Sequence, residues 1–175
     1  MTEAQLSNAM DAYGSTVYRL ALTRMQNIAD AEDVYQEVFL RLWKQAAEDW
    51  DGDRAKAWLI RTTLNRCADL HRFHLRRPVL SFAEIPDLAQ PEDESRELWE
   101  AVSRLPEKSR TAVHLYYAEG YSAEEISQLM HIPAATVRTR LHRARKQLKE
   151  LLGGIDDETC VSRSDGTNFG PQRAE

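Results

Sequence analysis

The fold is decided by residues 120–152, which read GYSAEEISQLMHIPAATVRTRLHRARKQLKELL. Ser122, followed three residues later by Glu125, forms a capping box, which predicts that a short helix begins at residue 123. Pro133 cannot extend that helix but can begin the next, so a tight break is expected before it. A longer helix is then predicted over residues 134–152. Its inner face is spaced i, i+4, i+7 and i+11 at Val137, Leu141, Ala144 and Leu148.

The outer side of this last helix is basic. It carries Arg138, Arg140, Arg143, Arg145, Lys146 and Lys149, with no acid before Glu150. A capped helix, a tight break and a basic helix are typical of a helix-turn-helix, whose second helix enters the major groove of DNA. One outward face holds Arg138, Thr139, His142 and Arg143. Arginine pairs with guanine through two hydrogen bonds, and threonine suits a thymine methyl or a phosphate. The alternative is a basic amphipathic helix that closes a helical bundle.

Composition narrows the class of protein. The chain has 175 residues, few Gly and Pro, and long stretches with helical apolar spacing, which predict an all-α fold. Its two cysteines, Cys67 and Cys160, exclude a disulfide scaffold and fit a reducing, cytoplasmic setting. No run approaches the ~20 apolar residues of a membrane span, so we expect no membrane insertion. No metal-ligand cluster, phosphate loop or nucleophile–base set is visible, so we expect neither an enzyme nor a cofactor.

The formal net charge of −5 argues, taken whole, against nucleic-acid binding, because affinity for phosphate comes from Lys and Arg. The charge is unevenly distributed, however. Residues 81–100 hold 7 acidic and 1 basic side chains, and residues 153–175 hold 5 and 2. Residues 101–152 hold 5 acidic and 9 basic side chains, whereas residues 1–80 are balanced at 11 each. Two acidic segments therefore mask the basic helices.

These changes in charge along the sequence divide the chain into two small helical domains. We predict a first domain over residues 1–77 and a second over residues 96–152. Residues 78–95 are predicted to be a flexible linker, because the stretch 81–94 is acidic and contains Pro86 and Pro91. Residues 153–175 are polar and Gly-rich and are predicted to be a disordered tail.

The first domain is predicted to contain three helices, over residues 3–25, 29–47 and 54–76, with Asn27 capping the second. The inner stripe of the second helix is Ala31, Val34, Val38 and Leu42. Asp33, Gln36, Glu37 and Arg41 lie off that stripe, either as a solvated surface or as an interface. The third helix mixes arginines with His and Phe73, as a single-stranded nucleic-acid groove requires. An ordinary amphipathic helix is the alternative.

The two domains together resemble bacterial RNA polymerase sigma factors. Residues 31–43, AEDVYQEVFLRLW, resemble sigma region 2.2, and residues 57–61 with 65–69 resemble regions 2.3 and 2.4. Residues 105–106, 120–126 and 132–145 resemble region 4. The match covers residues 5–152, and a short linker in place of region 3 indicates the extracytoplasmic-function (ECF) group.

The resemblance implies a function: binding core RNA polymerase, reading the promoter −35 element and melting the −10 element. It implies docking of region 2.2 on the clamp coiled coil of the largest subunit through Asp33, Gln36, Glu37 and Arg41. It implies −10 contacts from Trp50, Asp51, Arg61, Asn65, Arg66, Arg72 and Arg76. It implies −35 contacts from Thr136, Arg138, Thr139, Arg140, His142, Arg143, Arg145 and Lys146, with Arg140, Arg145 and Lys146 assigned to phosphates or to the polymerase flap. An anti-sigma factor is expected as a partner.

Three positions depart from the pattern. His131 and Ala135 stand where the family often has glycine, so His131 must adopt whatever turn glycine usually supplies. Tyr35 replaces a small aliphatic residue. Two other functions fit parts of the chain: a helix-turn-helix regulator that binds duplex DNA alone, and a helical adaptor that binds polymerase without starting transcription.

Overall fold

The computed structural model describes residues 2–45, 52–76 and 93–153, with only the backbone described for residues 93–96. Every regular element in these ranges is a helix, which confirms the predicted all-α class. The helices are α1 (Glu3–Met25), α2 (Ile28–Lys44), α3 (Gly52–Arg76), α4 (Asp93–Ser103), α5 (Glu107–Val113), a π-helical segment (His114–Ala118), α6 (Ala123–Met130) and α7 (Ala134–Leu151). None of these helices is long and apolar enough to span a bilayer.

The first domain is formed by α1, α2 and α3, which pack around one apolar cluster. The predicted stripe of α2 is buried throughout, and Val17, Leu59 and Cys67 face it from the other helices. The Asn27 side chain accepts a hydrogen bond from the Asp30 amide at 2.9 Å, which confirms the predicted cap. The packing of amphipathic faces, more than helix propensity, stabilises such a bundle.

Gly14 lies in the interior of α1, where glycine is normally unfavourable. A Cβ at this position would lie 3.0 Å from the Tyr35 hydroxyl oxygen, so the missing side chain makes room for that ring. Tyr35 also packs on Phe39, with ring centroids 4.8 Å apart, and meets Tyr18 edge-on. The tyrosine that departs from the family pattern is therefore packed between α1 and α2.

The second domain is formed by α4 to α7. Ser122 caps α6, and Glu125 completes the predicted capping box. Val137, Leu141 and Ala144 are buried on the inner face of α7, as predicted, and Leu148 is partly buried against the same cluster. Helix α4 begins at Asp93 and was not anticipated from the apolar spacing.

The two domains pack against each other. One apolar cluster joins Leu20, Ile60 and Leu64 of the first domain to Leu115 and Ile126 of the second. Helix α5 contacts α1, and α6 contacts α3. Residues 77–92, which cover most of the predicted linker, and residues 154–175 of the predicted tail lie outside the described residues.

His131 ends α6 in the left-handed conformation, with φ +53° and ψ +46°. This is the conformation for which glycine is the usual residue, since a Cβ there crowds the backbone. We expect His131→Gly to raise the free energy of unfolding by about 0.5–1 kcal/mol. Urea unfolding measures the change, and His131→Ala, which keeps the Cβ, is the control. A glycine variant no more stable than the alanine variant would show that the turn is unstrained.

His114 is buried between the domains, where its Nδ1 lies 3.2 Å from the Thr23 hydroxyl. Burial lowers the pKa of His114 below its ordinary 6.5; nearby Arg19 adds to this, and Glu119 opposes it. Below pH 6.5 the unfolded chain therefore binds more protons than the folded chain, so this histidine costs stability as the pH falls towards its folded pKa.

We accordingly expect the melting temperature of the wild-type chain to fall more steeply between pH 7.5 and pH 5 than that of His114→Gln. His142→Gln, at an exposed histidine, is the matched control and should retain the wild-type slope. Parallel curves for the wild type and His114→Gln would contradict this assignment.

Candidate nucleic-acid interface

The outer face of α7 presents a continuous polar and basic surface. Arg138, Thr139, His142, Arg143 and Lys146 are all exposed. At 100° per residue these positions fall on the side of the helix opposite its buried stripe. The helix is joined to α6 only by residues 131–133, so the two helices form the predicted helix-turn-helix. Nothing in the described second domain covers the face that would meet a DNA groove.

Two arginines of α7 have partners inside the second domain. Arg138 forms an ion pair with Glu124 of α6. Arg145 donates a hydrogen bond to the Tyr117 hydroxyl at 2.7 Å, and its guanidinium lies 5.8 Å from the Tyr116 ring centroid. Arg145 therefore lies on the flank of α7, towards the π-helical segment. Arg140 and Thr136 are only partly exposed and lie on the other flank.

A second basic surface follows α3. Arg61, Asn65, Arg72 and Arg76 are exposed and spaced i, i+4, i+11 and i+15, so they align along one side of the helix. Arg72 is paired with Asp69 one turn away. The row is about 22 Å long at 1.5 Å per residue, which is the scale of a contact with several nucleotides.

A shallow groove of about 380 Å³ lies beside this row and is lined by Arg66, Asp69, Leu70, Arg72, Phe73 and Arg76. Arg66 lies off the exposed row, and its buried Nε has no hydrogen-bond partner among the described residues. Phe73 is half exposed at the edge of the groove. An aromatic ring among cations is suited to stacking on an unpaired base. Trp50 and Asp51, the other predicted −10 residues, lie outside the described residues.

The outer face of α2 forms a third surface, distant in sequence from α7. Asp33, Gln36 and Arg41 are exposed, and Glu37 is partly exposed. Glu37 accepts a hydrogen bond from Arg41 Nε at 2.9 Å. Such an exposed i, i+4 pair contributes only a few tenths of a kcal/mol, roughly 0.3–0.5, to stability. The contribution of this pair to folding stability is therefore too small to explain why these charged residues lie here.

Two apolar residues on this surface were not predicted from the sequence. Leu40 and Trp43 are 47% and 41% exposed, next to Gln36 on the helix. Tryptophan is enriched at the centres of protein interfaces, and an exposed apolar patch rimmed by polar groups is typical of a binding site. Their spacing from Asp33 and Gln36, opposite the buried stripe, was the signal that could have identified them. We call Asp33, Gln36, Glu37, Leu40, Arg41 and Trp43 together the α2 surface.

No group of acidic, histidine or cysteine side chains within the described ranges could hold a metal ion. Cys67 is buried, and its thiol pKa is raised to about 12, chiefly by burial. A thiol that stays protonated at neutral pH is a poor nucleophile, so Cys67 belongs to the core.

Comparison with known proteins identifies the family to which this chain belongs. Residues 9–77 match the family model for Sigma-70 region 2, and residues 95–148 match that for Sigma-70, region 4. The chain is 34% identical over 161 residues to the ECF RNA polymerase sigma factor SigE of Mycolicibacterium smegmatis, covering 86% of this chain and 62% of SigE. It is 32% identical over 155 residues to the ECF RNA polymerase sigma factor SigM of Bacillus subtilis, covering 83% of this chain and 94% of SigM.

The chain spans less than two thirds of some relatives: 62% of SigE, and 39% of RfaY from Xanthomonas campestris pv. campestris. Among solved structures, the sigma factor RpoE from Bartonella quintana, in complex with the anti-sigma factor NepR, matches with a TM-score of 0.73 and 23% identity. That match covers 87% of this chain and 99% of RpoE and shows a shared fold. The ordered pair of region matches and the relatives above 30% identity show that this chain belongs to the ECF group of RNA polymerase sigma factors.

Proposed function

We propose that this chain is a promoter-specificity subunit that binds core RNA polymerase and directs it to promoters by contacting the −35 and −10 elements. The observation that carries the proposal is the coexistence, in one chain, of an uncovered basic helix-turn-helix face and the separate α2 surface. A regulator that binds duplex DNA alone would use the first but has no need of the second.

The α7 face would read the −35 duplex. Arg138, Thr139, His142 and Arg143 are the candidates for base edges, with Lys146 positioned for phosphates. Thr136, Arg140 and Arg145, which lie on the flanks of α7, are better suited to phosphates or to the polymerase flap. The ion pair with Glu124 orients Arg138 but also offsets part of its charge.

The α3 row would hold the −10 strand. Arg61, Arg66, Arg72 and Arg76 would hold the backbone, and Phe73 would line the adjoining groove. Extruding a base from the stack costs a few kcal/mol, which contacts in a pocket must offset. Asn65, Trp50 and Asp51 are our candidates for that pocket.

The α2 surface would dock on the clamp coiled coil of the largest polymerase subunit. Asp33, Gln36, Glu37 and Arg41 would set the orientation through polar contacts, and Leu40 and Trp43 would supply apolar area. An anti-sigma factor is a further proposed partner, supported by the shared fold with RpoE, which was solved with one. We expect both partners to be met in the cytoplasm.

Run-off transcription tests the proposed function. Transcription start sites are first mapped after overexpression of the chain, and the upstream elements that they share are identified. A template that carries these elements is then transcribed by core polymerase with and without the chain. We expect a transcript only when the chain and both elements are present. Binding to the duplex without polymerase and no transcript would favour a lone regulator. Polymerase binding without a transcript would favour an adaptor.

Asp33→Lys should weaken binding to core polymerase about tenfold, because a reversed charge at an interface loses attraction and adds repulsion. The exposed position indicates an unchanged melting temperature. Glu3→Lys, the same change at an exposed position of α1, is the matched control. Unchanged affinity of Asp33→Lys for the core enzyme would remove Asp33 from the interface.

Arg143→Ala should cost about 1–3 kcal/mol in holoenzyme binding to the promoter and should relax preference at one −35 position. Lys146→Ala is the comparison: it should weaken all −35 variants alike and reduce the salt dependence. Binding titrations over a set of single-base −35 variants distinguish the two patterns. A uniform loss for Arg143→Ala would assign Arg143 to a phosphate instead.

A further inference from the structure

A shallow groove of about 430 Å³ lies between α1 and α2 in the first domain. Helix α1 contributes the side that faces α2, and α2 contributes the opposite side. The lining residues are Gly14, Ser15, Tyr18, Glu32, Tyr35 and Gln36. Gln36 belongs both to this groove and to the α2 surface, so the groove continues the α2 surface towards α1. We call these six residues the tyrosine groove.

Two tyrosine rings form the apolar part of the tyrosine groove. Tyr35 meets Tyr18 edge-on, with ring centroids 6.3 Å apart, and packs on Phe39 on its other side. Gly14 has no side chain to displace the Tyr35 ring. Both tyrosines remain partly exposed. Because neighbouring groups hold the Tyr35 ring, its exposed part is an ordered aromatic surface that loses little entropy when a partner binds.

The tyrosine groove is acidic. Glu32 is exposed at its rim, and none of the described residues that line it is basic. Burial raises the pKa of the Tyr35 hydroxyl, and the negative charge of Asp11 on α1 adds to this shift. Asp11 therefore acts on the same site as Glu32. The face of an aromatic ring also carries partial negative charge, so the groove favours a cationic occupant.

Two other kinds of occupant fit this groove poorly. The groove beside α3 is lined by Arg66, Arg72 and Arg76, which attract phosphate, whereas a phosphate in the tyrosine groove would meet the Glu32 carboxylate. Sites for small molecules usually bury about 70–90% of the surface of their ligand, and a shallow groove does not. A side chain that projects from the surface of a protein partner needs no such enclosure.

Arginine is the side chain whose chemistry matches the tyrosine groove. Its planar guanidinium stacks on an aromatic face and donates paired hydrogen bonds to a carboxylate. Tyr35 and Glu32 are three residues apart on α2, so the ring and the carboxylate are neighbours on the helix. The Gln36 side-chain carbonyl is a further acceptor at the same edge. Lysine would keep the attraction but lose the stacking and the paired hydrogen bonds.

We propose that the tyrosine groove receives an arginine side chain of core RNA polymerase, carried next to the polymerase segment that docks on the α2 surface. The proposal rests on the proposed function for the identity of the partner. It extends the docking site from α2 onto α1. Tyr35 stands where the family pattern has a small aliphatic residue, so this contact would distinguish the docking of this chain from that of relatives without the ring.

Equilibrium binding of the full chain to core polymerase tests the role of the ring. Tyr35→Leu keeps an apolar side chain but removes the aromatic face, and it should weaken binding about fivefold. Tyr35→Phe keeps that face and should bind within about twofold of the wild type, since the ring supplies the cation–π contact. Melting temperatures show whether each variant is folded.

Charge reversal tests the role of the carboxylate. Glu32→Lys should weaken binding to core polymerase roughly tenfold, because it replaces attraction of the guanidinium with repulsion. Glu3→Lys, the same change at an exposed position of α1 outside the groove, is the matched control and should bind as the wild type does. Glu32 is exposed, so this variant serves even if Tyr35→Leu fails to fold.

Photochemical cross-linking tests the identity of the occupant. The photoreactive residue benzoylphenylalanine, introduced in place of the exposed Ser15, should cross-link to a polymerase peptide that contains an arginine. Changing that arginine to glutamate in the polymerase should weaken binding of the wild-type chain. The Glu32→Lys chain should then bind the altered polymerase more tightly than the wild-type chain does.

Three results would overturn the proposal: folded Tyr35→Leu and Glu32→Lys chains that bind core polymerase as tightly as Glu3→Lys, equal losses for Tyr35→Leu and Tyr35→Phe, or a cross-linked peptide without arginine. Weakened binding of Asp33→Lys and promoter-specific run-off by the wild type would still support the proposed function in each case. Conversely, failure of run-off transcription overturns the proposed function, whereas the binding measurements still test the groove.

Discussion

A guanidinium removed from water needs oxygen acceptors for its N–H groups, and Arg110 finds them at the end of α1 and in the turn that precedes α5. This requirement positions the second domain on the first. The apolar contacts of Leu20, Ile60 and Leu64 with the second domain follow from the same placement. If Arg110 were withdrawn while the domains stayed together, the Thr23 and Arg24 carbonyls would be left without that donor in a buried setting.

Charge separation along the chain is the second organising feature. The net charge of −5 describes neither domain, because many of the basic side chains lie on the outer faces of α3 and α7, whereas the acids are concentrated in residues 81–100 and 153–175. In the second domain, Glu124 partly neutralises Arg138. If the chain acts as proposed, its acidic segments would weaken its own attraction for DNA, and polymerase would supply the additional contacts that make binding at the promoter stable.

Local features of the fold were predictable from sequence, and long-range ones were not. The Asn27 cap, the Ser122 capping box, the inner stripes of α2 and α7 and the unusual turn at His131 all follow from short-range rules. Helix α4 was missed because its N-terminal turn lies in an acidic, proline-flanked segment that favours a linker. Arg110 could not be singled out in the sequence, since nothing near it indicates that two of its acceptors, the Thr23 and Arg24 carbonyls, lie nearly ninety residues earlier. The exposed faces could be assigned from helical spacing, but the sequence around Trp50 and Asp51, which lie outside the described residues, has no periodicity from which a geometry can be derived.

The π-helical segment lies between Arg110 and Glu119, which both make polar contacts across the domain interface. The number of residues between these two side chains is therefore fixed. The bonds of the segment run from residue i+5 to i, as from the Glu119 amide to the His114 carbonyl at 3.2 Å, so it contains one residue more than an α-helical turn. Deleting one residue between Arg110 and Gly120 would restore regular winding and rotate the downstream helices by about 100°. Glu119 would then turn away from Lys56, while the helix-turn-helix beyond it could still fold. Chain length in this short segment is thus under a tighter constraint than residue identity, and related chains that lack the extra residue would need a different way of bringing their domains together.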